Sequence, residues 1–220
     1  MTRWKVLPTP EEAALTAAAI IAECAQQAVQ DRGRFQVALS GGSNGAFLAA
    51  LGHEAIPWGS TVVHQVDERI APAGDPARNL TALLAALPDD AEVRAMPVEG
   101  ADLQAAADLY AEGLPDGLDV VQLGLGDDGH TASLVPGEAV LDIIDREVAV
   151  TGLYRGHRRM TLTYPVLDRA RLVVWLATGP AKSDALRRLL ARDEAIPAAR
   201  VRAADQVVVC DVAAAPEGVG

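Results

Sequence analysis

Two hydrophobic periods alternate along the chain. Thr9-Pro10-Glu11-Glu12 opens the first helix: Thr9 suits the N-cap, Pro10 the first helical position and Glu12 a capping box. This helix runs through an alanine-rich stretch to about Asp31, with Gly33 just past its end. Phe35 to Leu39 is then a short apolar run, ended by Ser40-Gly41-Gly42-Ser43-Asn44-Gly45 and followed by an apolar helix from about Ala46 to Leu51. Further strands are predicted at Thr61 to Val66, Val93 to Pro97, Leu118 to Leu123, Met160 to Thr163, Leu172 to Ala177 and Gln206 to Cys210. Helices are predicted at Asn79 to Leu87, Ala101 to Gly113, Val166 to Ala170 and Pro180 to Arg192, the last with basic residues in its final turn, as the helix dipole favours.

The predicted strands are rich in Val and Leu and continuous rather than alternating, which indicates a sheet covered on both faces by helices. The expected fold is α/β: a three-layer α/β/α sandwich with a mostly parallel, Rossmann-like sheet. No internal repeat and no dividing linker interrupts it, so residues 1–220 are expected to form a single domain. In such sheets ligands sit beyond the carboxyl ends of the strands. The loops of chemical interest all follow strands, which gathers them on one edge, although strand order is not legible from sequence.

Composition narrows the partners. The chain has 220 residues, 50% hydrophobic and 22% charged, close to the globular average. Its formal net charge of −11 opposes nucleic acid and anionic membranes, while leaving room for a local basic pocket that takes a small anion. No stretch approaches the ~20 apolar residues of a spanning helix. Cys24 and Cys210, the only two cysteines, each lie in an apolar segment and read as buried thiols of a reducing compartment. A soluble, cytoplasmic protein is expected, a monomer or weak homodimer, with no nucleic-acid or membrane partner.

Four loops can carry chemistry. Ser40-Gly41-Gly42-Ser43 follows a strand and precedes a helix, where glycines admit a ligand to the backbone and free amides attract phosphate. It lacks the Gly-Lys-Ser/Thr ending of a nucleotide P-loop. Asp67-Glu68-Arg69 closes a buried strand, a place either for a solvated corner or for a catalytic carboxylate and an anion-binding arginine. Gly124-Leu125-Gly126-Asp127-Asp128-Gly129 fits the dinucleotide fingerprint in spacing, but two aspartates would sit where a pyrophosphate belongs. What remains is Asp128 two residues before His130, a carboxylate able to fix the tautomer of a proton-transferring imidazole. A lone histidine here would more often cap the next helix; a glycine-rich strand-end loop with an adjacent aspartate favours catalysis. Arg159 precedes a strand, and Lys182 stands against the dipole at a helix start, as a surface lysine or as an anion ligand. The four histidines, His53, His64, His130 and His157, show no paired ligand spacing, and no metal site is expected.

Taken together, the SGGS loop at Ser40 to Ser43, the DER at Asp67 to Arg69, GDDGHTASLVPG from Gly126 to Gly137, RMTLTYPVL from Arg159 and TGPAK ending at Lys182 resemble the 6-phosphogluconolactonases. These belong to a wider group with the glucosamine-6-phosphate deaminases/isomerases. The resemblance covers about residues 1 to 210 and implies hydrolysis of 6-phospho-D-glucono-1,5-lactone to 6-phospho-D-gluconate in the oxidative pentose phosphate pathway, without a cofactor. It implies His130 as general base and Asp128 as its orienting partner. Gly41, Gly42 and Ser43, beside Ser40, would hold the 6-phosphate with Arg159 and Lys182, while Asp67 and Arg69 would lie at the site edge. Two departures stand out: Asn44-Gly45 where Thr-Pro is usual, and Arg78 before Asn79, expected to add a positive charge near the site mouth. The rival readings are a deaminase/isomerase and a sugar-phosphate-sensing domain. The first tends to carry Ala-Phe-Asn-Glu-Pro after its histidine, whereas Ala132 to Pro136 here contains no acid. The second usually carries a DNA-binding segment, for which this acidic chain has no spare residues.

Overall fold

The computed structural model describes residues 2–42 and 45–219. The strands among the described residues are β1 Thr2–Leu7, β2 Phe35–Leu39, β3 Thr61–Gln65, β4 Asp67–Arg69, β5 Glu92–Arg94, β6 Val120–Gly124, β7 Val148–Val150, β8 Arg159–Leu162, β9 Leu172–Ala177 and β10 Gln206–Asp211. The α-helices among them are α1 Pro10–Arg32, α2 Gly45–His53, α3 Asn79–Ala86, α4 Leu103–Glu112, α5 Tyr164–Asp168 and α6 Ser183–Leu190. Seven strands form one parallel sheet in the order β1-β10-β9-β6-β2-β3-β5, and β4-β8-β7 form a small antiparallel sheet.

The continuous apolar strands are explained by a core on each face. On β9, Leu172, Val174 and Leu176 face one core, and Val173, Trp175 and Ala177 face the other. The first core is completed by α1, whose buried Ala13, Ala14, Ala17, Ala18, Ile21, Ala22, Ala25 and Ala28 recur at helical spacing. Small side chains there let a long helix lie close to the sheet. The second core takes α4, the small sheet and the segments around α5 and α6.

Helix α1 begins as its sequence indicates: Thr9 Oγ1 accepts the Glu12 N–H at 3.1 Å, and Gly33 ends it in the left-handed region at φ 74°. Three strands lie outside the predicted set. β1 is an edge strand in which Trp4 and Val6 pack inward while Arg3 and Lys5 stay exposed, so it carries no continuous apolar run. β4 consists of the charged triplet itself, which is paired rather than looped out, and β7 is only three residues long. The helix expected from Pro180 opens instead as a 3-10 turn at Pro180–Lys182 before α6.

Candidate active site

From β2 the chain proceeds to β3 and β5 on one side of the sheet, while β6, β9 and β10 extend the other side. Neighbouring strands β2 and β6 therefore flank the topological switch point, where loops leave in opposite directions and open a crevice. Ser40 to Gly42 follow β2, and Leu125 to His130 follow β6. Ser40 N–H donates to Gln122 Oε1 at 3.2 Å, tying the first loop to β6. The crevice is a cleft of about 200 Å³ lined by Ser40, Gly42, Asp67, Arg69, Asn79, the loop from Gly124 to Asp127, His130, Tyr154, Arg155, Arg159 and Lys182.

His130 and Asp128 form a tight pair. Nδ1 of the imidazole lies 2.5 Å from Asp128 Oδ1, and the same oxygen accepts the His130 backbone N–H at 3.0 Å. Nδ1 is thereby the protonated nitrogen, and Nε2 has no hydrogen-bond partner among the described residues. Burial alone would raise the Asp128 carboxyl, but the hydrogen bonds from His130 and from the Tyr154 hydroxyl outweigh it and hold the group below its ordinary value. Gly126 makes this packing possible: a Cβ there would lie 2.0 Å from His130 Nδ1 and 2.6 Å from Asp128 Oδ1. Its N–H donates to His130 O at 2.8 Å and the Gly129 N–H to Gly126 O at 3.0 Å, so both amides are spent on shaping the loop.

The opposite wall is a buried polar network. Asp67 is 5% exposed; its Oδ1 accepts Asn79 Nδ2 at 2.9 Å and its Oδ2 the Ser133 hydroxyl at 2.6 Å. Burial pushes the Asp67 carboxyl up, and Ser133, Arg159 and Arg69 pull it back only in part. Glu68, next in sequence, points the other way and accepts the N–H groups of Asn79 and Leu80, capping α3. Gly41 packs directly on this cap: a Cβ there would stand 2.7 Å from the Asn79 carbonyl oxygen. Arg78, expected near the mouth, is only 3% exposed and pairs with Glu68 at 3.0 Å and Glu99 at 3.0 Å. It is thus a buried structural cation rather than a charge at the cleft.

The cations of the site are arranged differently. In the antiparallel register of β4 and β8, Arg69 stands directly across from Arg159, a like-charge pairing that is unfavourable in an empty sheet. Arg159 is 6% exposed; among the described residues its only side-chain hydrogen bond is a long one, 3.4 Å from Nη1 to Ser133 Oγ, and its Nε has no partner. Burial pushes this guanidinium below its ordinary value, and Asp67 offsets that only partly. Arg69 Nη1 donates to Ala77 O at 2.6 Å. Among the described residues, Arg69, Arg159 and Lys182 have no carboxylate oxygen within 4.0 Å. Three cations without carboxylate partners around one cleft, in a chain of net charge −11, make a site for an anion.

The structure thus brings Ser40, Gly42, Asp67, Arg69, His130, Arg159 and Lys182 to one cleft, with Asp128 bonded behind His130 and Gly41 packed beneath. Ser43 and Asn44 lie outside the described residues. Sequence reasoning missed Asn79, Gln122, Ser133, Tyr154 and Arg155. Ser133 and Asn79 sit inside or beside the recognised motifs and serve Asp67, a role only tertiary contacts reveal. Tyr154-Arg155 precedes a glycine in an unremarkable polar stretch, and no local sequence signal marks its role.

A doubly covered parallel sheet with a histidine–carboxylate pair and a cation-lined cleft at its switch point defines an α/β enzyme that acts on a small anionic molecule. The family model of glucosamine-6-phosphate isomerases/6-phosphogluconolactonase matches residues 8–210, and the chain belongs to this family. It is 36% identical over 181 residues to a 6-phosphogluconolactonase of Synechocystis sp., covering 75% of each chain. A 6-phosphogluconolactonase of Rattus norvegicus is 36% identical over 225 residues, 90% of this chain and 85% of the relative. The crystal structure of a 6-phosphogluconolactonase from Shewanella baltica superposes with a TM-score of 0.86 at 28% identity, over 96% of this chain and 98% of that one. No helix among the described residues is long and apolar enough to cross a membrane.

Proposed function

We propose that this enzyme is a lactonase, a carboxylic ester hydrolase that converts 6-phospho-D-glucono-1,5-lactone to 6-phospho-D-gluconate, the ring-opening step of the oxidative pentose phosphate pathway. We assign it to the cytoplasm, as one domain over residues 1–220 working without a cofactor. The observation that carries the reading is the juxtaposition, in one cleft, of His130 and three cations, with neither a hydrogen-bond partner on Nε2 nor carboxylate partners for the cations among the described residues. Relatives named 6-phosphogluconolactonase, matched over most of their length, support it. So does the stretch Ala132 to Pro136, which supplies no acid for the alternative deaminase/isomerase chemistry.

In this mechanism the 6-phosphate is held by Arg159, Lys182 and the Ser40–Ser43 loop, which orients a ring whose reacting carbon lies at the other end. A six-membered lactone is an activated ester and needs no protein nucleophile. His130 Nε2 removes a proton from a water as its oxygen bonds to C1, and Asp128 stabilises the imidazolium through Nδ1. The amides of Gly126 and Gly129 are already engaged, and Arg69 is assigned to face the developing oxyanion. The C1–O5 bond then breaks, and His130 returns its proton to the departing ring oxygen. Asp67, with both oxygens occupied by Asn79 and Ser133, is assigned to holding the wall that carries Arg159.

The test is a lactonase assay on purified protein, corrected for spontaneous hydrolysis, alongside His130→Asn. The variant should bind substrate but lose ~10²–10⁴-fold in kcat, the usual share of a general base. Folded His130→Asn protein with a near-normal kcat would sink the assignment, and ammonia release from an amino-sugar phosphate would favour the deaminase.

A further inference from the structure

We propose that Tyr154 is a positioning residue for the Asp128–His130 pair, locking the carboxylate through the oxygen that His130 does not use. This rests on the reading of His130 as general base. Asp128 has three donors: the His130 N–H at 3.0 Å and Nδ1 at 2.5 Å on Oδ1, and the Tyr154 hydroxyl at 3.0 Å on Oδ2. With only the first two, the carboxylate could pivot about one oxygen; the third fixes its plane. The Tyr154 ring also meets the His130 ring edge to face, centroids 5.5 Å apart at 67°, so carboxylate and imidazole are held by the same side chain. Burial and the neighbouring Asp128 charge raise the Tyr154 hydroxyl above its ordinary value, which keeps it a donor across the neutral range.

The backbone delivers this ring with little freedom. Tyr154 and His157 exchange backbone hydrogen bonds at 3.0 and 3.2 Å, enclosing a two-residue turn whose central residues, Arg155 and Gly156, have φ of 49° and 87°. Positive φ at both positions suits a tight hairpin but favours Asn-Gly; an arginine in the left-handed region is strained. The strained residue is seated over the Tyr154 face, its guanidinium carbon 5.2 Å from the centroid, and Arg159 approaches the same ring at 5.1 Å. Backbone strain and a cation pair thus converge on one aromatic whose hydroxyl ends on the catalytic carboxylate. Around His130 the cleft also presents Asp67, Arg69, Asp127, Arg155, Arg159 and Lys182, none of which Tyr154→Phe alters.

Tyr154→Phe removes only the hydroxyl of a half-buried ring. It should lower kcat about three- to tenfold with KM changed less than about twofold. The acid limb of the kcat/KM profile should move to higher pH, because a carboxylate relieved of one donor stabilises the imidazolium more strongly. On an Asp128→Asn background the same substitution should cost no further kcat. An NMR titration of the His130 ring in the substrate-free protein should show the same upward displacement. Unchanged kcat and an unmoved titration in Tyr154→Phe overturn the proposal, as does full additivity with Asp128→Asn. A purely structural tyrosine would shift the melting temperature and leave both titrations in place. The ring titration does not depend on turnover, so it tests Tyr154 even if the protein proves not to hydrolyse the lactone.

Discussion

Asp67 and Asp128 sit on facing walls of one cleft, and their surroundings drive them in opposite directions. Asp67 is buried, and burial raises its carboxyl despite Ser133 and nearby arginines. Asp128 has a side chain 36% exposed, and its hydrogen bonds to His130 and Tyr154 hold it below the ordinary value. Neighbouring titratable groups pushed apart in this way mark a division of labour. Asp128 stays anionic and can stabilise a charge that appears on His130. Asp67 spends both oxygens on joining α3 to the loop at Ser133, and so acts on geometry rather than on the proton. Two aspartates that a motif scan treats alike are separated by solvent and by what touches them.

The comparison can be broken most forcefully from the Asp128 side without touching either acid. Gly126→Ala places a methyl where the His130 and Asp128 side chains now meet, so the ring must move. Activity should fall about as far as when the base itself is removed, ~10²–10⁴-fold, with circular dichroism unchanged. Wild-type kinetics in this variant would mean that the pair is not where the chemistry occurs.

Alanine at each acid sharpens the contrast. Asp128→Ala deletes a charged hydrogen bond worth about 1.5–3 kcal/mol and should lose about 10- to 150-fold in kcat with little change in melting temperature. Asp67→Ala orphans the buried Ser133 hydroxyl and leaves Asn79 Nδ2 only the Asp67 carbonyl as acceptor; it should lower stability by about 1–3 kcal/mol, while the folded fraction keeps a kcat within about tenfold of wild type. Stability and turnover measured on the same preparations decide this; a reversed pattern would exchange the two roles.

The smallest effect concerns His64, the buried counterpart of His130. It is 2% exposed on β3, bonded through Nε2 to Gln36 at 2.9 Å, and burial pulls its pKa down to about 4. The unfolded chain takes up this proton near pH 6.5 and the folded chain does not until about 4. The contribution to stability is complete above pH 6.5 and drains away as pH falls through that window, by about 3 kcal/mol at most. Urea titrations from pH 7 to 4 should show a shallower loss in His64→Gln than in wild type, with activity at neutral pH unaffected.

Much of the fold was legible because its signals are local. Thr9, Pro10 and Gly33 bound α1 where capping chemistry says they should, and Leu172 to Ala177 reads as a strand because both of its faces are buried. The edge strand β1 was not, since alternation of Arg3 and Lys5 with Trp4 and Val6 over six residues does not stand out from a solvated terminus. Strand order was out of reach, as register is chosen by packing between distant segments. The same boundary runs through the site. Glycine loops and the Asp128–His130 spacing lie within a few residues of each other and can be read directly. The opposition of Arg69 and Arg159, the burial of Arg78 and the reach of Tyr154 to Asp128 join segments far apart in sequence.

The two faces of β9 have a consequence for assembly. Trp175 fills one side of the strand, and the alanine-lined helix α1 closes over the other, with no space for an indole between. Sliding β9 by a single residue would turn the tryptophan towards the alanines and leave its former pocket vacant, a double fault of several kcal/mol. Since β9 pairs with β6, whose last residue Gly124 begins the His130 loop, the mismatch in side-chain size works as a ruler for the catalytic end of the sheet. Bulk placed far from the substrate thereby disfavours a slipped register and, with it, a displaced His130 loop.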